Sequence, residues 1–119
     1  MGTGNGLVDV LQAGLRAAGM RQAVIAGNIA NSNTPGYRRQ AVQFEDLLTE
    51  ALDRGGRVDL DAVVPQIVHP HDTPVRGNGN DVDMEMEIGE LVKNASRYKV
   101  YLRLLARVYR QAELAVGQP

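Results

Sequence analysis

Residues 28–40 read NIANSNTPGYRRQ, and this stretch decides how the chain is organised. Its three asparagines predict that a helix finishes here, because asparagine tolerates the left-handed conformation that closes a helix. Pro35 cannot continue a helix, and Gly36 after it is free to take a positive φ. The stretch therefore predicts a helix stop and a turn, followed by an extended segment that starts at Tyr37.

An apolar seam precedes this stop. From residue 8 to residue 29, seam positions recur at alternating spacings of three and four, with one polar interruption at Gln22. This pattern is typical of one face of a helix that packs against another helix. Glycines within the segment each cost roughly 1 kcal/mol against alanine. They either let a neighbouring helix approach closely or are simply tolerated. The seam residues that we expect to pack are Leu11, Leu15, Ile25 and Ile29.

The last third of the chain carries the strongest periodic signal. Apolar residues from position 84 to position 116 keep the alternating spacing of four and three, which predicts one helix over about residues 81–116. Acidic residues crowd its first turns and arginines its end, as the helix dipole favours, and Asp81 or Asn80 is the expected cap. The seam residues that we expect to pack are Met84, Ile88, Leu91, Tyr98, Leu102, Leu105 and Tyr109.

Together the two periodic segments predict a mainly α fold. We expect the long N- and C-terminal helices to pair as an antiparallel coiled-coil hairpin, with a short helix and a loop or small β excursion between them. The sequence divides accordingly into an N-terminal helix (1–34), an arm (35–80) and a C-terminal helix (81–119). Four tyrosines, one phenylalanine and no tryptophan supply little bulk for a compact core. Association with further copies is therefore expected to supply burial.

The arm carries weaker signals. Apolar residues spaced three and four apart after Phe44 predict a short helix with Phe44 as its anchor. Residues 57–68 suggest a short two-stranded excursion, and the prolines and glycines of residues 65–80 predict an irregular segment that is mobile in the free monomer. Arg38 and Arg39 are best interpreted as solvated surface charges, with an intersubunit contact as the alternative.

Composition excludes several function classes. The net charge is −1, and we expect charges of both signs to be spread along the chain without a basic face for nucleic acid. No apolar run is long enough to predict a membrane span. The absence of cysteine excludes disulfides and thiolate metal sites. Residues 1–6 lack the basic and then apolar pattern of a secretory signal, so a cleaved signal peptide is not expected.

Candidate chemical sites are weak. His69 and His71 stand beside Asp72 but have no evident third ligand, so a solvated loop is favoured over a metal site. The acidic run of residues 81–87 does not have the spacing of a calcium loop, and complementarity to the helix dipole explains it better. No set of residues suggests a catalytic centre or a cofactor site, and we expect a protein that is not an enzyme.

The combination of Asn-Ile-Ala-Asn at the helix end with Thr-Pro-Gly-Tyr after it resembles the N-terminal signature of the bacterial flagellar rod, hook and hook-associated proteins. The likeness continues at residues 15–16 and 21–22, at Phe44, at residues 81–84 and at Asn94 and Tyr98, whereas residues 49–76 match poorly. With 119 residues, the chain is similar to the short proximal-rod proteins of the FlgB type. Residues 38–40 also resemble the other short proximal-rod protein and the hook-associated proteins, which leaves the rod position open.

The resemblance implies a structural subunit of the flagellar basal-body rod, which polymerises through its helices and transmits torque across the periplasm. It implies export through the flagellar type III apparatus without a cleaved signal. The implied partners are other copies, other rod proteins, the rod-base adaptor, the membrane-supramembrane ring and the export gate. The alternative is a soluble helical adaptor or export chaperone that binds a partner helix. The motif residues expected to set the geometry between helix and arm are Asn28, Asn31, Thr34, Pro35, Gly36 and Tyr37.

Overall fold

A computed structural model describes residues 6–55, 59 and 63–117. The described chain is mainly helical, with two long helices, a short helix and a small antiparallel strand pair between them, which confirms the predicted fold class. The molecule is elongated and measures 68 × 27 × 19 Å. Its elements in chain order are α1 (Gly6–Ala30), β1 (Ala41–Gln43), α2 (Glu45–Asp53), β2 (Gln66–Val68) and α3 (Met84–Gly117).

Helices α1 and α3 lie side by side and run in opposite directions. Asn28 near the end of α1 bonds Glu87 near the start of α3, while Gln12 near the start of α1 bonds Tyr109 toward the end of α3. With 34 residues, α3 is about 51 Å long at 1.5 Å per residue. It begins later than predicted, and its first turn is capped by the Asp83 carboxylate, which accepts the Met86 amide.

A small apolar core joins α2 to the hairpin. Phe44 is fully buried against Ala13 and Ala17 of α1 and against Val63 of the arm. Because Phe44 sits directly before α2, it also fixes where that helix starts, as the sequence predicts. The half-buried α2 residues that pack on this cluster are Leu47, Leu48 and Ala51.

The strand pair joins distant parts of the arm. β1 pairs with β2 in antiparallel register, with Ala41 opposite Val68 and Gln43 opposite Gln66. β2 therefore lies within the predicted excursion, and its partner β1 lies before α2. Most of residues 57–62 lie outside the described residues. The pairing brings residues 66–80 back across the end of the hairpin, where the chain turns out of α1.

Candidate functional site

The turn after α1 is held by short-range hydrogen bonds. The Asn31 backbone amide and its Nδ2 both donate to the Gly27 carbonyl, at 3.0 and 2.9 Å, which satisfies an otherwise free helix-end acceptor. Thr34 Oγ1 donates to Asn31 Oδ1. Gly36 has φ 77°, a conformation that glycine adopts without cost, while Pro35 beside it is exposed. The turn thus sends the chain back along α1.

Asn28 is the centre of the motif and has no solvent exposure. Its Nδ2 donates to the Gln40 carbonyl at 2.8 Å and to Glu87 Oε1 at 3.0 Å. Its Oδ1 accepts the Gln40 amide at 2.9 Å and the Tyr37 hydroxyl at 3.0 Å. An asparagine side chain has two donors and two acceptor positions, and all four are used here. One side chain therefore joins α1, the extended segment and α3.

Arg39 and Glu87 form a buried ion pair beside Asn28, with Nε and Oε2 2.7 Å apart. The exposed Asp72 carboxylate accepts a second Arg39 hydrogen bond at 3.0 Å. Burial opposes the charge of Arg39, but the hydrogen bonds and charges of Glu87 and Asp72 outweigh it and raise its pKa. The interpretation of Arg39 as a solvated charge is wrong, because the carboxylates brought in by α3 and the arm compensate for its burial.

Asp81 joins the same cluster from the segment just before α3. Its Oδ1 accepts the Arg39 backbone amide at 2.6 Å, and its Oδ2 accepts Arg38 Nε at 3.1 Å. Burial alone would raise the pKa of this carboxyl group, but the two hydrogen bonds and the arginine charges outweigh it and hold the pKa below its ordinary value. Asp81 is therefore not the helix cap, and its carboxylate instead fixes the segment that leaves the turn.

Asn80 bonds the backbone of the turn. This buried side chain donates from Nδ2 to the carbonyls of Asn31 and Thr34, both at 2.8 Å, and its Oδ1 accepts the Val82 amide. The backbones also approach closely, because a Cβ on Gly79 would lie 3.2 Å from the Cα of Gly36. We call Asn28, Arg39, Asn80, Asp81 and Glu87 the polar junction.

A second polar group lies midway along the hairpin. Arg21 is buried and bonds Glu45 at 2.6 Å, and Tyr101 also donates to Glu45 at 2.9 Å. Burial and the neighbouring Glu45 charge raise the pKa of Tyr101 to about 12. Burial of Glu45 opposes its ionisation, but the Arg21 hydrogen bond and charge outweigh it and lower the pKa of Glu45. Asn94 donates to the Ala18 carbonyl at 2.8 Å and adds a third link between the helices.

Close contact between the helices depends on Gly14. A Cβ at this position would lie 2.3 Å from the Tyr101 ring, a distance that no real contact reaches. A Cβ at Gly19 would meet nothing within 4 Å. Of the two interpretations of the α1 glycines, close helix approach therefore applies to Gly14.

The predicted seam is divided between the inside and the outside of the hairpin. Leu11, Ile25 and Leu105 are buried, while Leu15 and Ile29 are half-buried and Gln22 faces outward. The remaining α3 members form an exposed row, which we call the outer apolar stripe. Its residues are Met84, Ile88, Leu91, Tyr98, Leu102 and Tyr109.

The face that α3 turns toward α1 is largely polar, which the sequence reasoning missed. Glu87, Asn94 and Tyr101 recur every seven residues on this face, and Arg21 and Asn28 have the same spacing on α1. Polar residues repeated at heptad spacing were the signal that could have identified this face.

The described residues suggest no site for chemistry. They contain no group of three or more possible metal ligands, and none of their helices is both long and apolar enough to cross a membrane. His69 and His71 lie near the backbone of Arg39 and the side chain of Arg38, respectively. Within the described chain, every buried side-chain polar atom has a hydrogen-bond partner. The polar junction is thus suited to fixing the angle between arm and hairpin.

Comparisons with known proteins find similarity to flagellar basal body rod proteins. A family model described as Flagella basal body rod protein matches residues 9–38, which cover most of α1 and the turn. FlgB, a flagellar basal body rod protein of Bacillus subtilis strain 168, is 33% identical over 105 residues, covering 80% of this chain and 81% of the relative. The FlgB proteins of Borreliella burgdorferi and Salmonella typhimurium are each 28% identical, and the alignments cover 94% and 80% of those relatives.

Proposed function

Because this chain belongs to the FlgB family of flagellar basal body rod proteins and is a structural rod subunit, we propose that it polymerises through the outer faces of its hairpin. The resulting stiff tube transmits torque across the periplasm. The role is mechanical rather than enzymatic. The observation that carries the proposal is the outer apolar stripe.

The outer apolar stripe has the composition of an interface. It runs along α3 from Met84 to Tyr109, a distance of about 38 Å at 1.5 Å per residue. A row of exposed apolar side chains of such length is typical of a protein interaction site rather than of a free monomer. The stripe lies beside the polar face that contacts α1, so a neighbouring subunit can cover it without opening the hairpin.

The polar junction has a complementary role in this proposal. Neighbouring subunits can repeat one contact along a tube only if each subunit has the same shape. Asn28, Arg39 and Glu87 fix the arm relative to the hairpin through buried and directional bonds, and such networks favour one arrangement over others. The motif residues Asn31, Thr34 and Gly36 turn the chain into that network.

The proposed location is the flagellar basal body, where the subunit assembles with other rod proteins. We further propose that it meets the rod-base adaptor, the membrane-supramembrane ring and the export gate. Export by the flagellar type III route without cleavage of a signal peptide belongs to the same proposal. These finer assignments rest on the family resemblance of the motif.

Electron microscopy of basal bodies from a strain that lacks this chain tests the function. We expect rings without a rod in non-motile cells, and restoration of both by the unmodified chain. Complete rods in the deletion strain would contradict a rod subunit and would favour an export or adaptor role.

A substitution in the outer apolar stripe tests the mode of polymerisation. Leu102→Asp places a charge where a neighbouring subunit would bury it, so we expect rods to be lost while the purified chain keeps its helix content. Ser96→Asp is the matched control, because this exposed α3 residue lies outside the stripe. Normal rods with Leu102→Asp would contradict burial of the stripe.

A further inference from the structure

The charges of α3 are segregated along the helix, contrary to the expectation from composition. Six cationic residues occur between positions 93 and 110, and no acidic residue occurs between positions 91 and 112. Arg103, Arg107 and Arg110 are exposed, and they have no ion pair or hydrogen bond among the described residues. Their spacing of four and three places them on one face of the helix. We call these three residues the basic stripe.

Helix α2 carries a row of the opposite sign with the same geometry. Asp46, Glu50 and Asp53 are exposed and also follow one another at spacings of four and three. Each row therefore spans about 10.5 Å along its helix axis. Glu50 bonds Arg54 at 3.2 Å, but both side chains are exposed, and such a pair contributes little. We call the row on α2 the acidic stripe.

The two stripes do not meet within one molecule. Glu45 at the start of α2 bonds Tyr101, which lies on the face of α3 that packs against α1. Arg103 follows Tyr101 by two residues and is therefore rotated by about 200° around the helix, to its opposite side. No ion pair joins the stripes in the described chain.

From this match in sign and spacing, we propose that the basic stripe of one copy docks on the acidic stripe of a second copy. The contact is heterologous, because each copy offers its basic stripe to one neighbour and its acidic stripe to another. Heterologous contacts propagate into helical assemblies when they do not close into a ring. This inference rests on the proposed function. It adds to it by naming the residues that set the register between subunits.

The proposed contact assigns different roles to charge and apolar surface. Exposed ion pairs contribute little affinity individually, but complementary rows of charge select a register and penalise wrong ones. The basic stripe lies on the same helix as the outer apolar stripe and is rotated from it by about 100° around the helix axis, so the two stripes offer separate surfaces. We expect the contact to weaken as ionic strength rises.

A charge exchange between the stripes tests the pairing. Converting the three arginines to glutamate, or the three acidic residues to arginine, should abolish rods and swimming. Combining both sets in one chain should restore them, since the contact then has the same pairs reversed. The matched control restores the net charge at positions outside the acidic stripe. It combines the three arginine changes with Asp9→Arg, Glu85→Arg and Glu113→Arg, and cells that carry it should not swim. If the chain with both stripes exchanged does not restore rods and swimming, although the single-stripe variants are exported at normal levels, the pairing is wrong.

Crosslinking gives a second measurement that is independent of net charge. The chain has no cysteine, so Glu50→Cys together with Arg107→Cys introduces the only two thiols. A disulfide requires Cα atoms within about 7 Å, so oxidised basal bodies should give a ladder of multimers. Glu50→Cys with Ser96→Cys should give none.

The outcomes separate this inference from the proposed function. A strain that needs the chain for rods but shows no ladder, and that tolerates reversal of either stripe, would overturn the stripe pairing and keep the rod subunit. Complete rods without the chain would overturn the proposed function itself. Loss of rods on reversal without recovery in the exchanged chain would assign the basic stripe to a different partner and overturn the pairing.

Discussion

The two ends of α3 are packed differently within one molecule. At its start, Glu87 is buried in the polar junction, and every buried side-chain polar atom there has a partner among the described residues. From Tyr98 to Tyr109, most apolar side chains face outward, and Leu105 is the one buried residue of this range. The junction is therefore complete in one molecule, whereas the outer apolar stripe, which continues into the second half of the helix, presents surface for further contacts.

The polar junction fixes the shape of the subunit, whereas the outer apolar stripe serves assembly. Directional bonds between buried polar groups fix one arrangement of arm and hairpin, and they are costly to break singly because an unpaired group stays behind. Apolar surface has no such directionality and can be buried by a neighbour. Changes at the junction should therefore alter the stability of the free chain, while changes on the outer stripe should alter assembly.

The largest expected effect on the free chain is that of Glu87→Ala. Removal of this carboxylate leaves Arg39 buried without its closest counter-charge and costs Asn28 one acceptor. Loss of one partner of a buried ion pair is expected to lower the free energy of unfolding by about 3–5 kcal/mol. Urea unfolding followed by circular dichroism measures this change.

Glu85→Ala is the matched control for Glu87→Ala. Glu85 lies in the same first turn of α3 but is exposed, so its loss should change the free energy of unfolding by no more than about 0.5 kcal/mol. If both variants lowered the free energy of unfolding equally, the buried junction would be no more important to the free chain than the exposed face of the helix.

The same contrast explains which features the sequence could predict. Local chemistry predicts the stop and turn at residues 28–40, because asparagine, proline and glycine act through their own backbone geometry. Periodicity predicts both long helices, and Phe44 is recognisable because it is the only phenylalanine and opens an apolar pattern. These features depend on residues close to one another in the chain.

Long-range polar pairing was not predictable in the same way. Arg39 and Glu87 are 48 residues apart, and either one alone resembles a solvated charge. The rule that apolar residues face inward also placed the wrong side of α3 against α1 in several turns, since Glu87 and Asn94 occupy the inner face. The small residues Gly14 and Ala18 of α1 let α3 approach closely enough for its polar side chains to reach backbone and side-chain partners.

Gly14→Ala tests how strongly the middle of the hairpin is fixed. The new Cβ would overlap the Tyr101 ring, so the helices must separate or the ring must leave Glu45. Such overpacking is expected to cost about 1–3 kcal/mol, partly offset by the better helix propensity of alanine. Thermal unfolding of the purified variant measures the net effect, which should be destabilising.

Gly19→Ala supplies the control in the same helix. Nothing lies within 4 Å of the position its Cβ would take, so this variant should be more stable than the unmodified chain by up to about 1 kcal/mol. If both alanine variants were stabilising, the contact between Gly14 and Tyr101 would not limit helix approach.

The pH dependence of stability probes the junction through Asp81. Its pKa is lower in the folded chain than in the unfolded chain, because the Arg39 amide and the Arg38 guanidinium outweigh the effect of burial. The stabilisation is therefore fully present above the unfolded pKa of about 3.9 and is lost as the pH falls through the lower folded value. Denaturant midpoints at pH 7, 4 and 3 should show the decrease.

Asp81→Asn removes this titration and serves as the comparison. The variant should be less stable than the unmodified chain at pH 7 and should lose less of its stability between pH 4 and pH 3. Glu45, whose pKa is also lowered, continues to titrate in both chains and leaves a residual slope. Identical slopes for the two chains would show that Asp81 does not contribute to acid sensitivity.

The smallest expected effect is that of Pro35→Ala, which loosens the turn without touching the junction. Pro35 is exposed, and its main contribution is to restrict the unfolded chain, so the loss should be about 0.4–1 kcal/mol. Hydrogen exchange should locate the change: the amides of Gly36 and Tyr37, which bond the Asn78 and Thr34 carbonyls, should exchange faster, while those in α1 and α3 stay unchanged. Faster exchange throughout α1 would mean that the turn and the hairpin unfold together. If only the amides of the turn exchange faster while α1 and α3 stay protected, the helix pair is rigid by itself and the polar junction sets the position of the arm.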